Sequence, residues 1–318
     1  MKKMSKILAL ALAVVMILPL AACGEKKADT YSVGICQLVQ HDALDAATQG
    51  FMDALTAELG DKVTFDNQNA SGDSPMCSTI IGQFIANEVD LIMANATPAL
   101  QAASAATNEI PILGTSITEY GVALEIENFS GTVGGNISGT SDLAPLDEQA
   151  AMITEWFPNA KTVGLIYCSA EANSQYQVDV VKAELEKAGL TATLYSFSDS
   201  NDLAAVVEGA VAACDVIYVP TDNTVAANTG IIDNICRPAK VPVITGEEGV
   251  CKGCGVATLS ISYYDLGVAT GKMAAKILTG QADISEMAIE YAPVTRKYNA
   301  EICAELGLTV PAGYIAIE

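Results

Sequence analysis

The feature that most constrains this chain is a strand–helix alternation that runs through once and then starts again. Short apolar segments at 31–38, 63–67, 90–94 and 111–114 are separated by amphipathic segments at 42–59, 75–88 and 98–107. In the first of these, Leu44, Phe51, Leu55 and Leu59 recur at the spacing of one helix face. Such an order buries its apolar runs as a parallel sheet covered by helices on both faces. The order restarts with strands at 161–168, 191–197, 215–219 and 241–245 and helices at 174–189, 202–213 and 224–236. The expected fold is α/β, with two doubly wound parallel-sheet lobes. Segment 142–157 lies between them and begins the second. The tail is extended at 256–262 and 287–294 and helical at 264–279 and 299–306. With a first crossing near 139–143, the late extended segments make three hinge crossings, and lobes so joined close over a ligand by hinge bending.

The N-terminus sets the compartment. Lys2, Lys3 and Lys6 precede an apolar run over 7–20. A basic stretch followed by an apolar run of this length reads as a secretory signal, too short for a membrane span, which needs about 20 apolar residues. The run ends Leu20-Ala21-Ala22-Cys23, which resembles a bacterial lipobox, with Cys23 as the lipidated first residue of the processed protein. Residues 1–22 are then a lipoprotein signal peptide and 23–30 a polar tether, with lipid attachment holding the protein to a membrane surface. The expected lobes are 31–140 with 263–288, and 141–262 with 289–318.

Composition narrows the partners. Hydrophobic residues make up 51% and charged residues 17%, so the chain has ample core and is not disordered. Acidic residues number 38 against 16 basic; without Lys2, Lys3 and Lys6 the balance is 38 against 13, a net of −25. Nucleic acid is thereby excluded as a partner. Arg237 and Arg296 are the only arginines, so a bound carboxylate must rely on backbone N–H groups, helix N-termini and hydroxyls. One histidine, His41, provides neither a catalytic triad nor a metal cluster. Cys251-Lys252-Gly253-Cys254 has no second cysteine pair to complete a zinc site and reads as a surface turn, with or without a disulfide. The Gly-rich 131–135 lacks the Gly-Lys-Ser/Thr ending of a phosphate loop. No cofactor, metal or enzymatic activity is expected, and a monomer suits a protein that must dock and release.

Ligands of open α/β sheets bind beyond the carboxyl ends of the strands. The residues at those exits are Gln37 and Gln40–Asp42, Asn95–Thr97, 115–118, 138–142, 171–174, 221–224 and 247–248. Nearly all are amides, hydroxyls or carboxylates. Each alone is also an ordinary helix cap; their convergence on one cleft indicates a polar ligand. Capping hydroxyls at Thr97, Ser174 and Thr224 suit a carboxylate, and Asp142, Asp222 and Glu171 suit an ammonium, together the head group of an amino acid. Trp156 reads as packing; Tyr120, Tyr167 and Tyr263 lie nearer the expected cleft edges and are the better candidates for stacking on a ligand, although a tyrosine in such a place is more often core.

An ordered set of segments carries a family resemblance: His41-Asp42-Ala43-Leu44-Asp45 with Gln49-Gly50-Phe51, Asn95-Ala96-Thr97-Pro98-Ala99, Asn136 to Pro145, Glu171-Ala172-Asn173-Ser174, Asp222-Asn223-Thr224 and Tyr263-Tyr264-Asp265-Leu266-Gly267. The chain resembles the TrpX-type substrate-binding proteins of ABC transporters over almost all of its length after the signal. The resemblance implies the type I periplasmic-binding-protein fold and uptake of an aromatic amino acid (tryptophan, tyrosine or phenylalanine) with permease and ATPase subunits. It implies Gln40, Thr97, Ser141, Asp142, Asn173, Ser174, Asp222 and Asn223 as ligand contacts. The chain departs from the family at Thr115-Ser116-Ile117-Thr118-Glu119 and at Lys252-Gly253-Cys254. A binder of a sugar or nucleoside, or a sensory module presenting ligand to a receptor, are the alternatives.

Overall fold

The computed structural model describes residues 30–317; the expected signal peptide, Cys23 and most of the tether lie outside them. The first lobe begins with β1 (Tyr31–Gln37), α1 (Asp42–Leu59), β2 (Val63–Asn69), α2 (Ser74–Ala86) and β3 (Leu91–Asn95). It continues through α3 (Thr97–Ala106), β4 (Ile112–Ile117), the single turn α4 (Tyr120–Ala123) and β5 (Ile137–Ser141). The second lobe runs α5 (Leu146–Trp156), β6 (Thr162–Cys168), α6 (Ala172–Lys187), β7 (Thr191–Phe197), α7 (Ser200–Val211) and β8 (Val216–Val219). It then adds α8 (Asn223–Ala226), α9 (Thr229–Ala239), β9 (Val243–Thr245), α10 (Glu248–Cys254) and β10 (Ala257–Ser260). The chain returns to the first lobe with α11 (Tyr263–Leu278) and β11 (Glu290–Tyr291), and ends in the second with β12 (Thr295–Tyr298), α12 (Ala300–Leu306) and β13 (Ile315–Ala316).

The two sheets share one order. The first reads β11-β5-β4-β3-β1-β2 and is parallel throughout. The second reads β13-β12-β10-β9-β8-β6-β7, with β12 antiparallel to β10. In each, the chain reverses its winding beside the first strand, between β1 and β3 and between β6 and β8, and those are the points where such sheets open a crevice. Every residue of β3 and β4 is buried, as expected of strands covered on both faces. One face of the first sheet packs Phe84, Ile92 and Leu100; the other packs Phe51, Leu91 and Met273. Ser141 still pairs within the first sheet, and β11 pairs with β5. The backbone ladder thus carries Ser141 and Glu290–Tyr291 with the first lobe, slightly beyond the boundaries expected from pattern alone.

Two local expectations need correction, while Trp156, Tyr120 and Tyr167 pack in the core as expected. Cys251 and Cys254 do not form a surface turn: they are buried on α10, whose first turn is capped by Glu247, and both thiols are free. Segment 224–236 is not one helix. Asp222 caps a single turn, α8, and α9 starts afresh after Asn228, whose amide donates to the Thr224 carbonyl at 2.8 Å. Tyr120 and Tyr167 are core residues, and the Tyr120 hydroxyl donates to the Thr140 carbonyl at 3.2 Å. Trp156 packs edge-on against Tyr314, with ring centroids 5.1 Å apart.

The helix pair α1 and α11 holds the returning chain to the first lobe. A Cβ on Gly267 would stand 2.0 Å from the Ala47 carbonyl oxygen, and one on Gly50 would stand 2.1 Å from that of Tyr264. Only glycine permits backbones this close. Gly82, inside α2, faces open space. Gly267→Ala should therefore cost about 2 kcal/mol or more through overpacking, whereas Gly82→Ala should stabilise by about 0.5–1 kcal/mol through helix propensity. Urea unfolding of the two variants measures both, and equal effects would remove the close-packing argument.

Candidate ligand-binding cleft

The crevices of the two sheets face each other and, with the lobes this close, leave a chamber of about 10 Å³ between them, room for about one water molecule. The first lobe supplies His41, Leu44, Ser116 and Thr118 to its wall. The second supplies Asn173, Thr221–Asn223, Ala226 and Glu247. Asp142 and Tyr263 come from the crossings between them.

Each wall is positioned by a polar network behind it. In the first lobe the Thr48 hydroxyl donates to Gln37 Oε1 at 2.6 Å, and the Asn95 amide donates to the Leu44 carbonyl at 2.9 Å. These bonds fix the start of α1, and with it His41 and Leu44. At the end of β4 the register with β5 is irregular between Gly114 and Ile117, and Ser116 adopts a left-handed φ of 55°. Such a break re-aims a side chain; here it brings Ser116 to the chamber wall. In the second lobe Gln177 clamps Thr221, donating to its carbonyl and accepting from its N–H, both at 3.0 Å.

The carboxylates differ in how they are engaged. Glu171 accepts five hydrogen bonds, four from the N–H and side chain of Asn223 and of Thr224 at 2.7–3.1 Å and one from the Asn173 amide at 3.3 Å. Asp222 accepts from the Cys168 N–H at 2.7 Å and the Val225 N–H at 2.9 Å. Glu247 accepts from Gly249 and Val250 at 2.7 and 2.6 Å. Asp142 accepts from the Tyr263 hydroxyl at 2.9 Å through Oδ2 alone; its Oδ1 receives no hydrogen bond from another residue. Asn173 Oδ1 and Ser116 Oγ are likewise without a protein partner, and the three residues are 5%, 4% and 6% exposed.

Burial raises three of these acids. It lifts Asp142 to about 6, against the Tyr263 and Thr118 hydroxyls, which lower it. It lifts Asp222 to about 7, helped by the charge of Glu171 and opposed by the Cys168 and Val225 N–H groups. It lifts Glu247 to about 7, opposed by its own cap bonds and helped by the charges of Asp142 and Glu248. His41 is lowered, chiefly by burial, with Asn223 and nearby acids pulling it back. Its Nε2 hydrogen-bonds Asn223 Oδ1 at 3.3 Å and ties the lobes across the chamber.

Of the residues expected at the site, Asp142, Asn173, Asp222 and Asn223 meet in this one chamber. Ser141 is buried beside it, donating to the Thr118 carbonyl at 2.8 Å, and Ser174 stands behind Asn173. Thr97 is buried at the start of α3 and is not part of the wall. Gln40 is exposed on an outer space shared with His41 and Asp42. The acids expected to meet an ammonium divide: Glu171 and Asp222 are engaged by backbone N–H groups, and Asp142 is left with a free oxygen. Ser116, Thr118, Thr221 and Glu247 belong to the wall although they were not among the expected contacts; all four are strand-exit residues, so the strand-exit rule itself pointed to them. Beside the chamber, sharing Asn223, a wider space at the cleft mouth is bounded by Leu38, Val39 and Pro98. Among the described residues no cluster of three or more metal-binding side chains occurs, and no helix is long and apolar enough to cross a membrane.

If burial raises these acids, the ligand-free native state holds protons that the unfolded chain has already lost. The stability this contributes is present below about pH 4 and is lost as pH rises through about 6–7. Asp142→Asn removes a share on the order of 2–3 kcal/mol. The ligand-free variant should melt higher than the parent at pH 8 and close to it at pH 4, as calorimetry can test; an equal gain at both values would contradict a buried, titrating Asp142.

Comparison with known proteins agrees with this geometry. The family model for ABC transporter substrate binding proteins matches residues 32–312. The chain is 35% identical over 257 residues, 79% of its length and 73% of the relative's, to the tyrosine-binding protein of Clostridioides difficile. Among solved structures it is similar to an ABC domain from Streptococcus pneumoniae in complex with L-Trp, at 34% identity and a TM-score of 0.85 over 91% of this chain and all of that one. A substrate binding protein with adhesive properties from Clostridium difficile, in its ligand-free, open structure, gives 36% identity with the same coverage but a TM-score of 0.69. At near-equal identity, the better fit to the ligand-bound structure agrees with lobes that stand closed. A glucose-galactose binding protein from Geobacillus stearothermophilus, 14% identical with a TM-score of 0.60, shares the fold alone. The two-lobed sheets, the inter-lobe chamber and these matches together place the chain in the family of ABC transporter substrate-binding proteins, in line with the TrpX-type resemblance, and its work is solute binding rather than catalysis.

Proposed function

We propose that this protein captures an aromatic amino acid, tyrosine or tryptophan foremost, in the inter-lobe chamber by hinge closure and delivers it to the permease and ATPase subunits of an ABC importer. It works outside the cytoplasm, held to the membrane by a lipid on Cys23. The observation that carries the ligand class is the chamber itself: Asp142 Oδ1 is buried without a protein donor, and the Ser116 hydroxyl, likewise unpartnered, stands on the same wall. An ammonium supplies the donor, and neutral hydroxyls can meet a carboxylate. The relatives that bind tyrosine and L-Trp favour an aromatic side chain, and the apolar residues of the cleft mouth, Leu38, Val39 and Pro98, offer it a surface. Gln40, Thr97, Ser141 and Ser174 act from outside the chamber, as support or rim.

Ligand stripped by partial unfolding and re-added separates the readings. A ligand specific for the folded state stabilises by about 2.7 kcal/mol at a hundred times its dissociation constant. Tyrosine, tryptophan or phenylalanine should raise the melting temperature by several degrees, and glucose, ribose and uridine should leave it unchanged. A shift with a sugar or nucleoside alone would overturn the amino-acid assignment.

A further inference from the structure

The protein atoms left unpartnered on the chamber wall are mostly acceptors. Asp142 Oδ1 and Asn173 Oδ1 accept nothing from the protein, and Ser116 Oγ can donate or accept. The ionisable groups on that wall are His41 and the acids Asp142, Asp222 and Glu247, with no lysine or arginine among the lining residues. Lys252 and Lys297 line the neighbouring space instead, and Lys297 is paired with Glu248. His41, the one imidazole, is engaged with Asn223. A ligand's ammonium therefore meets acceptors that lack donors, whereas its carboxylate meets only neutral hydroxyls in the field of several acids.

We propose that the chamber selects its ligand by the ammonium group and that the α-carboxylate is dispensable, so that primary arylalkylamines, the decarboxylated counterparts of the aromatic amino acids, are also ligands of this protein. The inference rests on the aromatic amino-acid reading for the side chain, and on Asp142, Asn173 and Ser116 for the head group. A deaminated ligand leaves Asp142 desolvated without a partner and adds a negative charge beside it; a decarboxylated one gives up hydrogen bonds to hydroxyls and relieves that repulsion.

Isothermal titration of the purified, ligand-stripped protein with L-tyrosine, tyramine and 3-(4-hydroxyphenyl)propionate, and with L-tryptophan, tryptamine and indole-3-propionate, tests it. The amine should bind within about tenfold of its amino acid and the propionate about a thousandfold more weakly or not at all. In Asp142→Asn, checked by its melting curve to be folded, the preference for amine over propionate should shrink at least tenfold. Amino-acid binding with the propionate as tight as the amine overturns the inference and leaves the proposed function standing. Amine binding without any amino acid supports the inference and overturns the amino-acid assignment. Binding by none of the six overturns both.

Discussion

A carboxylate withdrawn from water must be protonated, paired or hydrogen-bonded, and Asp142 meets that condition by half. It stands just past β5, where the chain leaves the first lobe, and it accepts a hydrogen bond from the Tyr263 hydroxyl, where the chain returns. The position of Tyr263 depends on α11, which the glycine contacts hold against α1. Helix α1 in turn carries Leu44 and, just before its first turn, His41 to the opposite wall. One desolvated acid thus depends on the first two crossings, the close helix pair and the lobe-to-lobe bond of His41 with Asn223.

The neighbouring acids show why Asp142 is different. Glu171, Asp222 and Glu247 are equally buried, yet each has both oxygens engaged by backbone N–H groups or side-chain donors at a helix start. Those bonds satisfy the orphan donors of short helices that could not stand alone. They also fix Thr221, Asp222 and Asn223 as a rigid wall. The same residue type does two jobs, and hydrogen-bond geometry decides which: three acids shape the chamber, and one is left open to a ligand.

This division explains what the sequence could disclose. Strand order, helix spacing and strand exits follow from periodicities of two and 3.6, so the two-lobe architecture and the polar character of the cleft were legible, as was the meeting of Asp142 with Asn173, Asp222 and Asn223. Periodicity does not say which oxygen a backbone N–H will occupy, so Glu171 and Asp222 read like Asp142. Nor does it reveal the left-handed Ser116, because a register break in β4 depends on its pairing with β5. Helix α10 was hidden for a similar reason: seven residues with two glycines have weak intrinsic preference, and it is the capping by Glu247 and the burial of Val250, Cys251 and Cys254 that form it.

The same unpartnered atoms bear on closure. In an open cleft water reaches Asp142, Asn173 and Ser116. Bringing the lobes together removes much of that water, and each buried polar atom left unsatisfied costs about 1–3 kcal/mol. Closure without a ligand is therefore opposed by several kcal/mol at these three positions, offset in part by the His41–Asn223 bond. A ligand that replaces the lost hydrogen bonds stabilises the closed state over the open one, and only that differential binding can shift the equilibrium between them. The chamber is built so that what recognises the ligand is also what resists closing in its absence.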